Sequence, residues 1–467
     1  MRPENHYAML NVEGDGKEAS AGRSAPSAVS GGVDAYQIMR IPWKEIPRLL
    51  VSPVGRIRLR RGAFGRASVV LLPLAALYRR TLIRQVCVVS VVGSYGKTTT
   101  TRAVAAMFGL PLQRYNGQNA GSFLASAVLH TRPWMPNVVH EVGITRQDQM
   151  RRYARVVRPD LVVATSIGVS HHLSLNTLET TRDEKCEMVR SLKASGAAIL
   201  NADDPNVLWM STQTAARVIT FGFSESSDIR ATDVRLSRSG TSFVLHVAGE
   251  KHPVCLSLIG RHMVYPALAA VAVASAMGIS VQSTITALEG LPAMSLRMES
   301  VLLPSGALLL DDTYKSDIET IDVGLEALRA IPALRRIAVL GEITEPPRPQ
   351  GPYYVQMGEQ AAGIADHLIY AGGKKGFSSV RSGARRGGMA ESAIEHAHHG
   401  SKDAADALSS TLRDGDVVLI KGRRVQHLER VALILRGEAV TCNLRFCRMS
   451  ISCVTCPNLG KARQRFC

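Results

Sequence analysis

Val88-Val89-Ser90-Val91-Val92-Gly93-Ser94-Tyr95-Gly96-Lys97-Thr98-Thr99-Thr100-Thr101 sets a β-branched run directly against a glycine-bounded loop that ends in Lys-Thr. The run predicts a buried strand, the glycines a sharp exit from it, and the continuation the first turns of a helix. Backbone N–H groups in such a loop close around a polyphosphate, and the helix N-terminus adds partial positive charge. Lys97 would reach the β- and γ-phosphates, and the Thr98 hydroxyl would take a place on Mg²⁺. The loop is shortened, because Val91 stands where a longer one has its first glycine and only Gly93-x-x-Gly96-Lys97-Thr98 remains. Gly93, Ser94, Tyr95, Gly96, Lys97, Thr98 and Thr99 are assigned to a nucleoside triphosphate. A bland alternative, in which Gly93 and Gly96 merely turn a strand into a helix, leaves the Lys-Thr pair unexplained.

Outward from this loop, strand-like runs recur at 138–142, 161–165 and 197–200 with helical lengths between them, which argues a parallel sheet with right-handed crossovers. Between 229 and 259 short alternating runs (SFVLHV, VCLSLI) predict a small antiparallel excursion. The Ala-rich stretch Ala267 to Met277 reads as a buried helix ended by Gly278. After Arg297 the alternation restarts, with apolar runs at 307–310, 336–340, 367–370 and 416–420. The expected fold class is α/β, a P-loop NTPase-like central domain with a mostly parallel sheet plus a smaller Rossmann-like C-terminal α/β domain. The expected divisions are a disordered leader (1–35), a basic helical segment (36–86), the central domain (87–297), the C-terminal domain (298–440) and a Cys-rich tail (441–467).

At 467 residues the chain is too long for one ordinary core. Its net charge of +17 favours anionic partners. No basic run is interleaved with aromatic residues, so nucleic acid is not expected as a partner. The first 35 residues have no continuous apolar region of a secretory signal. Ala67 to Tyr78 is too short to span a bilayer and is interrupted by Pro73. Basic residues flank that stretch, among them Arg56, Arg58, Arg79 and Arg80. It reads either as a helix packed on the nucleotide domain, the preferred reading, or as a surface helix giving residues 36–86 peripheral membrane contact. A cytoplasmic protein is expected.

Beyond the loop, an ordered series carries the chemistry. Glu141 ends a strand-like run, and Ser166-Ile167-Gly168-Val169-Ser170-His171-His172, Lys185, Gly260-Arg261-His262, Arg297, Asp311-Asp312-Thr313-Tyr314, Gly341-Glu342 and Lys421-Gly422 follow. This series, over residues 87 to 437, resembles the Mur ligase family, within it most the branch that joins a dipeptide to a UDP-linked peptide. The resemblance implies an ATP-dependent carboxylate–amine ligase that forms an amide bond through an acyl-phosphate, with ATP and Mg²⁺ as cofactors. It implies a small-molecule carboxylate acceptor and an amino acid or dipeptide as the amine, in peptidoglycan precursor or related synthesis. By position, Glu141 matches the carboxylate on the first Mg²⁺ and His171 the histidine on the second. Lys185 matches a carbamylated lysine ligating the second Mg²⁺, and Arg297 and Asp312 match nucleotide contacts. Lys97, His171 and Lys185 are the expected catalytic residues.

Without the series, each residue has a plainer reading: Glu141 a strand-end carboxylate, Lys185 a solvated helix lysine, Asp311-Asp312 the start of a loop. The chain also departs from the family. Residues 1–86 lack the pattern of its UDP-binding N-terminal domain, His262-Met263 replaces His-Asn, and Lys421-Gly422-Arg423-Arg424 replaces Lys-Gly-Ser-Arg. Two alternatives stay open, a P-loop NTPase or kinase whose C-terminal half binds a partner, and a poly-γ-glutamate-synthetase-like ligase acting on a non-UDP acceptor. The tail places Cys442, Cys447, Cys453 and Cys456 at a spacing that supplies four thiolates to Zn²⁺ or to an iron–sulfur cluster, unless they are free thiols.

Overall fold

In the computed structural model, residues 45–51, 53–115, 119–168, 175, 177–447 and 451–460 are described. The expected leader, 1–35, lies outside them, as do His171 and His172. Strand β1 (Cys87–Val92) buries its last five residues on both faces, as a central parallel strand must. It pairs in parallel with β2 (Asn137–Glu141) on one side and β3 (Leu161–Ala164) on the other. β4 (Ala197–Asn201) and β5 (Arg217–Gly222) extend the parallel sheet. β6 (Ile229–Ser237), β7 (Gly240–Val247) and β8 (Glu250–Leu256) close it as an antiparallel meander, giving the order β2-β1-β3-β4-β5-β6-β7-β8. The antiparallel excursion expected between 229 and 259 is therefore the edge of this sheet.

Helix Val264–Met277 is apolar all round and packs against helix Lys97–Met107 and strands β4 to β6, so both of its sides are covered. A second sheet contains β9 (Glu299–Leu302), β10 (Leu308–Asp312), β11 (Arg335–Leu340), β12 (His367–Tyr370), β13 (Ile394–His396) and β14 (Asp416–Lys421). Its order is β13-β12-β11-β14-β10-β9, parallel except for β9. Asp311 and Asp312 belong to β10 rather than to a loop, because their backbone pairs in register with Ile420 and Lys421 of β14. In each sheet the chain leaves the carboxyl ends of central strands through loops, the usual place for a ligand in an open α/β sheet.

Ahead of β1 lie helices Ile46–Val51, Pro53–Arg66 and Ser68–Thr81. The last packs on the first sheet's helices, burying Leu72 and Ala75, as the sequence favours, and Pro73 is accommodated inside it. Val69, Val70, Leu74 and Leu77 stay exposed on its other side. Among the described residues no helix is long and apolar enough to cross a membrane.

One flanking arginine is not part of a solvated surface. Arg79, 5% exposed, donates to the carbonyls of Val157, Ile83, Val86 and Arg158 and to Asp160 Oδ2. Asp160 Oδ2 also accepts the Val88 N–H, so this guanidinium ties the lead-in helix to the start of β1. Arg79→Met would leave those carbonyls without their donor at a cost of about 2–4 kcal/mol. Urea unfolding should show a matching fall in midpoint, with the slope unchanged.

Candidate active site

The loop after β1 places Gly93 at φ +145° and Gly96 at φ +76°. A Cβ on Gly93 would come within 2.0 Å of Thr165 Oγ1, so the loop can lie this close to the segment after β3 only with glycine there. Ser94 N–H donates to the Ser166 carbonyl at 2.7 Å, Tyr95 N–H to Ser166 Oγ at 3.1 Å, and Thr165 Oγ1 to the Tyr95 carbonyl at 2.6 Å. The N–H groups of Ser94 and Tyr95 are thus engaged by residue 166. Those aimed at a phosphate belong to the start of helix Lys97–Met107, whose first-turn N–H groups have no intrahelical acceptor. Lys97 Nζ folds back onto the carbonyls of Gly93 at 2.9 Å and Ser94 at 3.2 Å.

The Thr98 hydroxyl donates to Glu141 Oε1 at 3.1 Å, and Asn119 Nδ2 donates to the same oxygen at 2.5 Å. The β1–β2 register, with Val91 opposite Glu141, brings this carboxylate to the loop. Asn119 was not anticipated, because a lone asparagine in a connecting segment carries no periodic or motif signal.

Lys185 is 4% exposed on helix Leu178–Arg190, not the solvated helix lysine of its plainer reading. Its Nζ donates to Ser94 Oγ at 2.6 Å, while Ser94 Oγ also exchanges hydrogen bonds with Gly168 N–H (2.8 Å) and carbonyl (3.0 Å). Burial, and then the like charges of Lys97 and Lys315, push the Lys185 ammonium well below the usual lysine range. Lys97 is lowered as well, to about 8, by burial against the pull of Glu141 and with the repulsion of Lys315 and Arg297.

The second domain brings the remaining cations. Arg297 lies over the Tyr314 ring at 4.0 Å, with Arg424 at 5.4 Å from the same ring. Lys315 Nζ sits 5.1 Å from the Tyr95 ring, and Tyr95 Oη donates to Glu319 Oε2 at 3.1 Å, so the phosphate loop touches the C-terminal domain directly. Asp312 Oδ2 pairs with the buried Lys421 Nζ at 2.5 Å. His262 faces that pair, and burial lowers its imidazole to about 4. Asp311, behind it, is raised to about 8 by burial although the Thr313 hydroxyl donates to it at 2.6 Å. Farther along the same strand ends, Arg423 Nη1 meets Glu342 Oε2 at 3.1 Å, and Gln426 Oε1 accepts from Glu342 N–H and Arg423 N–H.

The four-cysteine metal set is corrected. Among the described residues no three of Cys442, Cys447, Cys453 and Cys456 come within 4.8 Å of one another. The Cys442 thiol lies instead by the buried Arg430 guanidinium, at 3.6 Å, which also takes the carbonyls of Cys442 and Leu444 and so fixes this stretch to a neighbouring helix. Cys453 is held in a different group, with His427 and Glu429.

A phosphate loop, buried lysines beside it and a second α/β domain reaching over it define an ATP-dependent ligase. Residues 91–274 match the Mur ligase middle domain, and residues 296–424 match the Mur ligase glutamate ligase domain. The chain belongs to the Mur ligase family. It is 29% identical over 450 residues to the UDP-N-acetylmuramoyl-tripeptide--D-alanyl-D-alanine ligase of Mycobacterium tuberculosis (strain ATCC 25618 / H37Rv), covering 89% of this chain and 87% of that one. With the Escherichia coli (strain K12) enzyme of the same name it shares 28% over 437 residues, covering 91% and 90%. The MurF ligase of Thermotoga maritima, solved in complex with ADP, superposes with a TM-score of 0.69 at 22% identity, over 80% of this chain and 84% of that one. That structural likeness bears on the fold.

The Lys97 ammonium has a testable consequence. Polyphosphate needs the charged form, and the free site holds its proton only below about 8. Nucleotide binding should therefore take up a proton above that pH and weaken by up to about tenfold per pH unit as pH rises further. Calorimetric titrations with ADP at pH 7 and pH 9.5, each in buffers of differing ionisation enthalpy, should show both effects.

Proposed function

We propose that this ligase joins D-alanyl-D-alanine to a UDP-N-acetylmuramoyl tripeptide in the cytoplasm, spending ATP to activate the tripeptide's terminal carboxylate. The observation that carries the reading is the buried Lys185, its ammonium disfavoured by desolvation and held on Ser94 beside Lys97. Similarity to enzymes of that name over nine-tenths of the chain supports the choice of substrates.

Activation brings two anions together, the γ-phosphate and the attacking carboxylate oxygen. Lys97, at the amino end of its helix, offsets the charge on the transferred group, and Arg297 and Lys315 extend the positive field into the cleft. The oxygens of Thr98 and Glu141, already converging at 3.1 Å, fit a hard divalent cation, and Mg²⁺ there would neutralise phosphate charge. Carbon dioxide reacts with an amine free of its proton, and burial shifts Lys185 toward that form, which would suit it to become a carbamate, an oxygen ligand for a second Mg²⁺ together with His171. The Asp312–Lys421 pair and Arg297 hold the nucleotide from the second domain. Contact between the domains through Tyr95 and Glu319 keeps water from the acyl-phosphate until the amine attacks. Nitrogen attack on the acyl carbon gives a tetrahedral intermediate, and loss of phosphate leaves the amide.

Phosphate release in the presence of ATP and Mg²⁺ should require both the UDP-linked tripeptide and D-alanyl-D-alanine, with a new amide product by mass. Release indifferent to the amine would return the phosphate-loop NTPase reading, and turnover only with glutamate-containing acceptors the poly-γ-glutamate reading. Lys97→Ala should lower kcat by at least about 10²–10³-fold, through loss of a preorganised charge. Lys185→Ala should be inactive and partly restored by short-chain carboxylic acids; full activity without them would remove the carbamate role.

A further inference from the structure

A second cluster of ligating side chains lies outside the ligation site, at the corner that follows β14. His427 and Glu429 are each 1% exposed and Cys453 is 7% exposed. A nitrogen of His427, a carboxylate oxygen of Glu429 and Cys453 Sγ all lie within 4.8 Å of one another. His427 Nδ1 is 2.8 Å from Glu429 Oε1, which also accepts the Cys453 N–H at 3.1 Å. The Cys447 thiol borders the same imidazole, and its backbone N–H is fixed to the Val425 carbonyl at 2.8 Å.

The hydrogen bonds within this group do not use up its polar atoms. Glu429 Oε2 is buried without a hydrogen-bond partner among the described residues, and buried His427 Nε2 meets no nitrogen or oxygen partner, only the bordering thiols of Cys447 and Cys453. Buried polar atoms of native proteins are nearly always satisfied, and here a carboxylate oxygen without a donor and an imidazole nitrogen faced only by thiols share one dry cluster. A cation accounts for both at once. Imidazole nitrogen, thiolate sulfur and a carboxylate oxygen form a borderline donor set, which suits Zn²⁺ better than Mg²⁺ or Ca²⁺.

We propose that His427, Glu429 and Cys453 hold a structural Zn²⁺, the Cys447 thiol beside the imidazole turning in from outside that group as the fourth ligand. The ligands come from two stretches, 427–429 beside the Lys421-Gly422-Arg423 turn and 447–453 of the carboxyl-terminal segment. The ion would fasten the second to the first, in concert with Arg430, whose guanidinium takes the Leu444 carbonyl at 2.6 Å. Metal binding of this kind is coupled to order in the chain that supplies the ligands. The proposal does not depend on which substrates the ligase takes.

The test uses the full-length protein purified without chelator. Metal analysis should find stoichiometric zinc in the wild type, lost in His427→Ala and Cys453→Ser and kept in Cys442→Ser and Cys456→Ser. Co²⁺ added to metal-stripped wild type should give thiolate charge-transfer bands in the near ultraviolet, absent from Cys453→Ser. Should the variants fail to fold, limited proteolysis of the wild type decides: chelator should expose residues 441–460 to cleavage, and Zn²⁺ should restore protection. Wild type without zinc or Co²⁺ bands, Cys453→Ser that keeps its metal, or cleavage indifferent to chelator would overturn the site. Loss of zinc in Cys442→Ser and Cys456→Ser would replace this ligand set with the four-cysteine one.

Discussion

The cleft depends on keeping several cations close together where water is scarce. Lys97, Lys185, Lys315 and Arg297 gather at the phosphate loop, and the nearby carboxylates of Glu141 and Asp317 offset them only in part. Like charges at such distances repel, and burial withdraws the solvent that would screen them. Lys185, its ammonium disfavoured by burial, donates to Ser94, while Lys97 leans on loop carbonyls. A polyanion entering this space meets charge whose cost of assembly was met in folding, which is how a preorganised site favours a transition state. The same field explains the stitching around residues 165–168, because a loop this strongly charged needs a rigid backing.

The fold was largely legible, for physical reasons that particular segments make plain. β1 is a continuous β-branched run ending in glycine, and such a run has few ways to be satisfied other than in the middle of a parallel sheet. The apolar strands of the second sheet read in the same way. β13 has only three residues and β9 alternates weakly as an edge strand, so neither carries a readable period. Arg79 was legible only as a flanking charge. Its burial is set by carbonyls some eighty positions away, which composition and spacing do not encode.

For the site, the loop motif brought out Lys97 and Thr98 and the family resemblance Glu141 and Lys185, and the four lie around one loop. Asn119, Lys315 and Tyr95's link to Glu319 escaped because each depends on contact between segments distant in sequence. The cysteines show the opposite error. Their crowding in the tail suggested one shared metal or free thiols, whereas folding pairs Cys442 with Arg430 and Cys453 with a histidine and glutamate from the preceding corner. Spacing along a tail says what the tail offers; the surface it lands on decides what is used.

Tyr95 belongs to the phosphate loop, yet its hydroxyl is bonded to Glu319 of the neighbouring domain. One hydroxyl thus fastens the phosphate loop to the neighbouring domain, so that a shift of either is felt by the other.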